Sequence, residues 1–247
     1  MGRTTILALL FNATLIFPVA TSESKPLLVI VDGAGDYKGC STAIANAVEA
    51  NELDVAIEVF PWSHGRGKVL QDQTDVKHSQ AKGKELAEYL LAKKKEVPER
   101  PLILICHSAG SAVCLTASIL LPADFLQRHI LLAPSVSPQY DIQAALRSSR
   151  NGLDVFCSKQ DCLVLGLAIR VFRSADEQHD RRAAGRHGFE LTTSKVNAAL
   201  LARLNQRFWS PEDEKLGHDG KHTGMFADAW IEKNLFPLCK LKNVDGR

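Results

Sequence analysis

The sequence predicts an α/β fold in which helices cover both faces of a mostly parallel sheet. Short apolar runs that suit buried strands alternate along the chain with segments whose apolar residues recur at helical spacing. Such alternation places successive strands in one sheet, with the connecting helices packed above and below it. The chain has 247 residues, of which 45% are hydrophobic, so it can build a sizeable core. We expect a single domain over residues 25–240.

Five segments have the character of core strands. The first ends at a glycine turn, the second stops at Pro61, and the third contains four consecutive Leu or Ile residues. Runs of this kind are typical of strands that are buried on both faces. The expected strands are Leu27–Val31, Val55–Phe60, 101–106, His129–Ala133 and Leu153–Ser158.

Helical patterns fill most of the intervals between these strands. The longest of them carries Ala81, Leu86 and Leu90 at near-helical spacing. The stretch 163–193 gives no clear pattern, and Ser174–Gly188 is polar and is expected to form a loop. The expected helices are Cys40–Ala50, Lys77–Lys95, a segment directly after Ser108, Asp141–Ser149, Asn197–Phe208 and Met225–Leu235.

The first 22 residues differ from the rest of the chain. Arg3 is their only charged residue, an apolar stretch runs from Ile6 to Val19, and small residues follow at Ala20–Ser22. This pattern is typical of a secretory signal peptide and is short for a membrane span. We therefore expect a signal peptide over residues 1–22, export of the protein, and no stable membrane span after cleavage. An uncleaved N-terminal anchor is the alternative.

A serine follows the third strand at the point where a helix is expected to begin. A serine on such a strand–turn–helix connection projects its hydroxyl out of the sheet beside free helix amides, as a nucleophile requires. Gly110 meets the demand for a small residue two positions after Ser108, while Cys106 stands where the G-x-S-x-G pattern has its first glycine. Ser108 is the candidate nucleophile. A serine that only caps the helix is the alternative.

A nucleophilic serine needs a base, and the base needs an acid that orients it. Asp161 follows the strand Leu153–Ser158 and is the candidate acid, because ligand sites form at the carboxyl ends of parallel strands. An aspartate that caps a turn is the alternative. His218 and His222 lie in one glycine-bracketed loop before the last helix. His222 is preferred as the base because it lies closer to that helix, although His218 remains open.

The developing oxyanion needs two N–H donors. Ala109 supplies one, and the glycine turn Asp32–Gly35 after the first strand lets other backbone amides turn toward the ligand. Gly33 and Gly35 are also expected to contact the substrate. The same glycines suit a dinucleotide loop, but the next strand ends at Phe60-Pro61 without the acid that would bind a ribose.

Trp62 and His64 follow the second strand and are expected to line the mouth of the substrate pocket. Plain packing beneath a loop is the alternative for both side chains. The net charge of +2 has no long one-sign run, so nucleic acid is not an expected partner. The six cysteines show neither a disulfide framework nor the spacing of a metal site, so no metal or cofactor is expected.

These features together resemble the α/β-hydrolase superfamily, and in particular its small bacterial serine hydrolases. The resemblance lies in the elbow Cys106–Gly110, in Asp161, in His222, in the turn Asp32–Gly35, and in the stretch Ala184–Phe189. It covers nearly all of the chain after residue 22. It implies an α/β-hydrolase-like fold without a large lid, because no long insertion follows the strand at His129–Ala133.

The resemblance also implies a function. Ser108 would be the nucleophile, His222 the base and Asp161 the acid, and Ala109 with the loop around Ala34 would bind the oxyanion. The expected activity is hydrolysis of an ester or related acyl bond in a small-molecule substrate, through an acyl-enzyme. A non-catalytic binding protein with the same fold is one alternative, and an acyltransferase that uses the same triad is another.

Overall fold

The computed structural model describes residues 24–161, 182–190 and 197–239. The predicted signal peptide and most of the predicted loop Ser174–Gly188 lie outside these residues. The described residues form one six-stranded sheet in the order β2-β1-β3-β4-β5-β6, and all neighbouring strands are parallel. The strands are β1 (Leu27–Val31), β2 (Ala56–Val59), β3 (Leu102–His107), β4 (Arg128–Leu132), β5 (Leu153–Cys157) and β6 (Leu204–Phe208).

In the part of the chain that the structure describes, helices connect the strands and follow the last of them. The longest begins at Val76, where the Asp75 side chain accepts a hydrogen bond from the His78 amide and so caps the first turn. The helices are α1 (Gly39–Ala50), α2 (Val69–Thr74), α3 (Val76–Glu96), α4 (Gly110–Leu120), α5 (Gln143–Ser148), α6 (Ala184–His187), α7 (Ala198–Leu201), α8 (Pro211–Glu214), α9 (Asp228–Asn234) and α10 (Phe236–Cys239).

The sheet has an apolar core on each face, as the predicted α/β architecture requires. Alternate residues of each strand point to opposite faces, so neighbours such as Val29 and Ile30 belong to different cores. Helices α3, α4 and α5 cover one face, and α1 and α9 cover the other. This arrangement leaves the carboxyl ends of the strands open for a site.

The prediction of one helix over Asn197–Phe208 is wrong in its second half. The helix ends at Leu201, a turn follows, and Leu204–Phe208 form the edge strand β6 beside β5. An edge strand buries only part of each side chain. In β6, Leu204 and Gln206 are half-buried and the other three residues are exposed. Its sequence therefore lacks the continuous apolar run that identifies the central strands.

Two other local predictions need correction, and one helix was not predicted. The expected helix Met225–Leu235 is broken at Ala227, with a 3₁₀ turn over Gly224–Phe226 before α9. Residues Ala184–His187 form the short helix α6 inside the segment predicted to be a loop. The helix α2 was not predicted, because its mixed polar sequence spans only six residues.

The described cysteines are buried thiols, and none of them forms a disulfide with another described cysteine. Cys162 lies outside the described residues. Within the part of the chain that the structure describes, no helix is long and apolar enough to cross a membrane.

Candidate active site

Ser108 lies on a sharp turn between β3 and α4. Its backbone φ is +52°, a left-handed conformation that costs a residue with a side chain about 1–3 kcal/mol. Contacts on both sides of the turn hold Ser108 in this conformation. The Ser108 amide donates to the Leu132 carbonyl at 3.0 Å, and a Cβ on Gly110 would lie 2.5 Å from the Asp32 carbonyl oxygen. Only glycine allows α4 to approach β1 this closely.

Cys106 fills the place of the first elbow glycine without disturbing the turn. Its side chain is fully buried on the face covered by α4, and its Sγ lies 3.6 Å from Ser111 Oγ. The space that a G-x-S-x-G pattern leaves empty is therefore occupied here by a small apolar group of the core.

The structure brings Ser108, His222 and Asp161 together in one hydrogen-bonded chain. Ser108 Oγ lies 2.9 Å from His222 Nε2, and His222 Nδ1 lies 2.5 Å from Asp161 Oδ2. The Asp161 carboxylate is buried, with 2% of its side chain exposed, while 11% of the His222 side chain is exposed at the edge of the site. The carboxylate fixes the tautomer with a proton on Nδ1, which leaves Nε2 as an acceptor toward the serine hydroxyl.

The structure does not bring His218 to the serine. That imidazole is buried, accepts a hydrogen bond from the Gly220 amide at 3.1 Å, and packs edge-on against Trp230. Burial lowers the pKa of His218, so the ring is neutral at neutral pH. His218 therefore supports the loop, and His222 is the histidine that faces Ser108.

Three further contacts fix the position of His222 and its loop. The ring of His107 lies 4.6 Å from the His222 ring, and His107 Nε2 donates to the His222 carbonyl at 3.2 Å. Burial lowers the pKa of His107 well below its usual range, so the ring stays neutral beneath His222. Ser158 Oγ donates to the Gly220 carbonyl, which ties the loop before Asp161 to the loop of His222.

The glycine turn after β1 lies directly beside the serine. A Cβ on Gly33 would lie 3.2 Å from Ser108 Cβ and 2.9 Å from His107 Nδ1. Within the described residues, the backbone amides of Ala34 and Ala109 donate to no other group. Two free N–H groups on either side of a serine hydroxyl can bind a developing oxyanion.

A cavity of about 570 Å³ opens over Ser108 and His222. Its volume suits a small-molecule ligand. Val69 and Leu70 of α2 form one side, and Tyr37 and Phe226 contribute aromatic surface. The remaining lining residues are Asp32, Gly33, Ala34, Lys38, Gly39, Cys40, Gln73, His107, Ser135 and Thr223.

The expectation that Trp62, His64 and Gly35 line this pocket needs correction. The Trp62 indole is buried and donates to the Asp32 carbonyl at 2.8 Å, so it packs behind the glycine turn. His64 is held by the Asp72 carboxylate, and the Gly35 amide donates to the same carboxylate. Trp62 and His64 therefore support the turn and do not line the cavity. The residues of the turn on the pocket wall are Gly33 and Ala34.

Two residues near the site were not among the predicted site residues. Ser135 Oγ lies 3.1 Å from Ser108 Oγ, and the Ser135 amide donates to the Ser108 carbonyl at 3.2 Å. Asp72 is buried on α2 and contacts the glycine turn. A serine after a strand and an aspartate in a polar stretch are common, so neither carries a sequence signal.

One group of side chains among the described residues could hold a metal ion. The donor atoms of Cys106, Cys114 and His129 lie within 4.8 Å of one another in the core between the sheet and α4. Sequence spacing gave no hint of this cluster, because β3, α4 and β4 each contribute one member. It lies beneath the elbow and outside the cavity.

Comparisons with known proteins agree with this fold. The model of the Hydrolase_4 family, described as serine aminopeptidase S33, matches residues 22–182. A comparison of the sequence with curated proteins gives no match.

Several solved structures are similar to the chain. The Pyrococcus furiosus esterase has 12% identity and a TM-score of 0.49, over 88% of this chain and 82% of that one. An alpha/beta-superfamily protein from Xanthomonas campestris has 16% identity and a TM-score of 0.45, over 85% and 98%. The catalytic core of the Trichoderma reesei acetyl xylan esterase has 10% identity and a TM-score of 0.43, over 86% and 97%.

The family model covers well over half of the chain, including β1, the elbow and β5. The parallel sheet and the strand–serine–helix connection are in keeping with that match. The chain therefore belongs to the Hydrolase_4 family of the α/β-hydrolase superfamily.

Proposed function

We propose that this protein is a serine hydrolase that cleaves an ester or a related acyl bond. The observation that carries the proposal is the hydrogen-bonded chain from Ser108 Oγ through His222 to Asp161, with distances of 2.9 and 2.5 Å. Membership of a hydrolase family supports the same class of reaction. A protein that only binds its ligand has no need of a histidine held between a carboxylate and a serine on a strained turn.

The reaction begins with attack of Ser108 Oγ on the acyl carbon while His222 Nε2 takes the hydroxyl proton. The imidazolium then donates that proton to the leaving oxygen, so the alcohol departs and the acyl group stays on Ser108. Water attacks this ester with His222 again as the base, which releases the carboxylic acid and restores the serine. Asp161 stabilises the imidazolium in both halves of the reaction.

The negative charge that develops on the acyl oxygen needs fixed donors. We assign this role to the amides of Ala109 and Ala34, which have no other partner among the described residues. Ala109 lies at the N-terminus of α4, where the helix dipole also favours a negative charge. The two alanines lie on separate elements, so the hole depends on how the turn after β1 is held.

The cavity supports a small-molecule substrate with an apolar acyl or alcohol group. Its volume of about 570 Å³ and the side chains of Val69, Leu70 and Phe226 suit such a group. Among the described residues that line it, Lys38 is the one lysine or arginine.

The test is ester hydrolysis by the purified protein and by matched serine variants. With p-nitrophenyl esters of increasing acyl length, we expect turnover by the wild-type protein and about 10⁴-fold or greater loss of kcat in Ser108→Ala. Ser118→Ala is the control, because Ser118 is also buried but lies near the distal end of α4, where it donates to the Cys114 carbonyl. A folded wild-type protein that cleaves no ester, thioester or amide in such a panel would contradict the proposal.

We also propose that the protein is exported, on the basis of the apolar N-terminal segment and the small residues at Ala20–Ser22. Expression of the full chain in a bacterial host should give a mature protein that begins close to Glu23. N-terminal sequencing checks this, and an intact Met1 on the purified protein would contradict cleavage.

A further inference from the structure

A second polar cluster contacts the glycine turn that follows β1. At its centre is the Asp72 carboxylate of α2, whose side chain has no exposed surface. It accepts hydrogen bonds from the Gly35 amide at 2.7 Å, from Ser63 Oγ at 2.5 Å and from the His64 amide at 2.8 Å. His64 Nδ1 lies 2.8 Å from the same carboxylate. None of these groups takes part in the proposed reaction.

Hydrogen bonds hold the peptides on both sides of Gly35. The Gly35 amide donates to Asp72, and the Gly35 carbonyl accepts from the Gly67 amide at 2.9 Å. Gly35 has a φ of +87°, so this short turn reverses sharply where it is held. The Gly35 amide belongs to the Ala34–Gly35 peptide, and the Ala34 amide belongs to the peptide before it. The bond to Asp72 fixes the first of these planes, so the Ala34 amide can reorient only by rotation about the φ and ψ bonds of Ala34.

An ionised carboxylate suits the position of Asp72 better than any neutral side chain. A carboxylate offers acceptor sites only, and each of the four groups around Asp72 can donate. Burial raises the pKa of Asp72, but the hydrogen bonds from Ser63, Gly35 and His64 outweigh it and lower the pKa below its usual value. An asparagine would turn its amide N–H₂ toward one of these donors and lose that contact.

The same side chain also joins the turn to the wall of the cavity. Asp72 lies on α2, and its neighbours Val69, Leu70 and Gln73 on that helix line the cavity. His64 extends the cluster to α3, since its ring stacks on His78 at 3.7 Å and its Nε2 lies 3.4 Å from Asp75. The turn is thus fixed against two helices.

We propose that Asp72 is a positioning residue for the hydrolysis, because its ionised carboxylate holds the Gly33–Gly35 turn so that the Ala34 amide is aimed at the oxyanion. The inference rests on the proposed function. It extends that function by naming the group that builds one half of the oxyanion hole.

The test compares Asp72→Asn with Asp154→Asn. Asp154 is an equally buried carboxylate, paired with Arg128 and Asn205 near the start of β5, so the same substitution there disturbs stability away from the site. In Asp72→Asn we expect kcat for an activated ester to fall by about 10²-fold, the typical effect of losing one oxyanion donor, with KM changed by less than about threefold. The affinity for an aryl boronic acid, which forms a charged tetrahedral adduct on a serine, should fall in parallel with kcat.

Asp154→Asn should lower the unfolding midpoint and leave kcat and boronate affinity within about twofold of wild type. A purely structural role for Asp72 predicts a loss of stability with kcat and boronate affinity unchanged at temperatures where the variant is folded. That result, or an equal loss of kcat in both variants, overturns the inference.

Ser63→Ala keeps the inference testable if Asp72→Asn does not fold. It removes one of the four contacts and should reduce kcat and boronate affinity several-fold without a change in KM; unchanged values overturn the inference. A folded wild-type protein without hydrolytic activity would contradict the proposed function itself. If the wild-type protein is active and kcat and boronate affinity are unchanged in the Asp72 and Ser63 variants, only the proposed role of Asp72 is contradicted.

Discussion

His218 and His222 share one loop, yet the fold gives them different environments. His222 lies between Asp161 and Ser108, whereas His218 is buried against Trp230 and accepts from the Gly220 amide. Residue identity alone cannot separate them. The distinction comes from which ring has a carboxylate on one side and a hydroxyl on the other.

Substitution of the two histidines should therefore have opposite effects. His222→Gln should reduce kcat for ester hydrolysis by roughly 10⁴-fold or more and change the free energy of unfolding by less than about 1 kcal/mol. His218→Asn should retain most of kcat and lose about 1–3 kcal/mol, because the smaller side chain gives up the ring contact with Trp230. Kinetics and urea unfolding of both variants check this, and a larger kcat loss in His218→Asn would reverse the assignment.

Gly110 shows how tightly the elbow is packed. A Cβ there would lie 2.5 Å from the Asp32 carbonyl and 2.8 Å from the Val31 carbonyl, and backbone oxygens cannot move aside as a flexible side chain can. Gly110→Ala should lose about 1–3 kcal/mol of stability together with most of its activity, because α4 must shift away from β1. A variant with wild-type stability and kcat would show that the contact between these elements is looser.

At the scale of elements, α9 supports the loop that carries His222. Trp230 is buried, donates to Asp213 Oδ1 at 3.0 Å, and packs edge-on against Phe156 and His218. Trp230→Phe keeps most of the ring contacts but removes the donor. We expect a loss of about 1–3 kcal/mol in urea unfolding, since Asp213 is left with one contact fewer in a buried position. A loss below about 0.5 kcal/mol would mean that the indole N–H does not support this corner.

The elements that the sequence predicted and those it missed differ in how much surface they bury. The runs Leu27–Val31 and 102–106 are buried on both faces, so their apolar residues are continuous and easily recognised. The strand β6 lies at the edge of the sheet with its side chains half-buried or exposed, and its sequence fits a helix equally well. The approach of Asp161 and His222 to Ser108 followed from their order on the chain. The contact between Asp72 and the glycine turn did not follow from the sequence. Nothing in the spacing of the two residues shows that Asp72, and not Asp75, faces the turn.

At the scale of the whole molecule, stability should depend on buried neutral histidines. Burial lowers the pKa of His218, and lowers that of His107 well below the ordinary value of 6.5. As the pH falls below 6.5, the unfolded chain therefore binds protons that the folded protein does not. The free energy of unfolding is then highest above this pH and decreases as the pH falls toward the folded pKa values.

Urea unfolding between pH 8 and pH 5 measures this dependence. The midpoint should fall as the pH is lowered, and the slope should be shallower in His218→Asn, which removes one of the two groups. A midpoint that rises on acidification, or a slope that the substitution leaves unchanged, would contradict burial of a neutral imidazole at this position.

The proposed function depends above all on an activated nucleophile at Ser108. Incubation with a fluorophosphonate, followed by peptide mass spectrometry, tests it most directly because the reagent phosphonylates a serine only where a base and an oxyanion site surround it. We expect one adduct, on the peptide that contains Ser108, and at least about 10²-fold slower labelling in His222→Gln. A folded wild-type protein that stays unlabelled, or that carries its adduct on another residue, would contradict it.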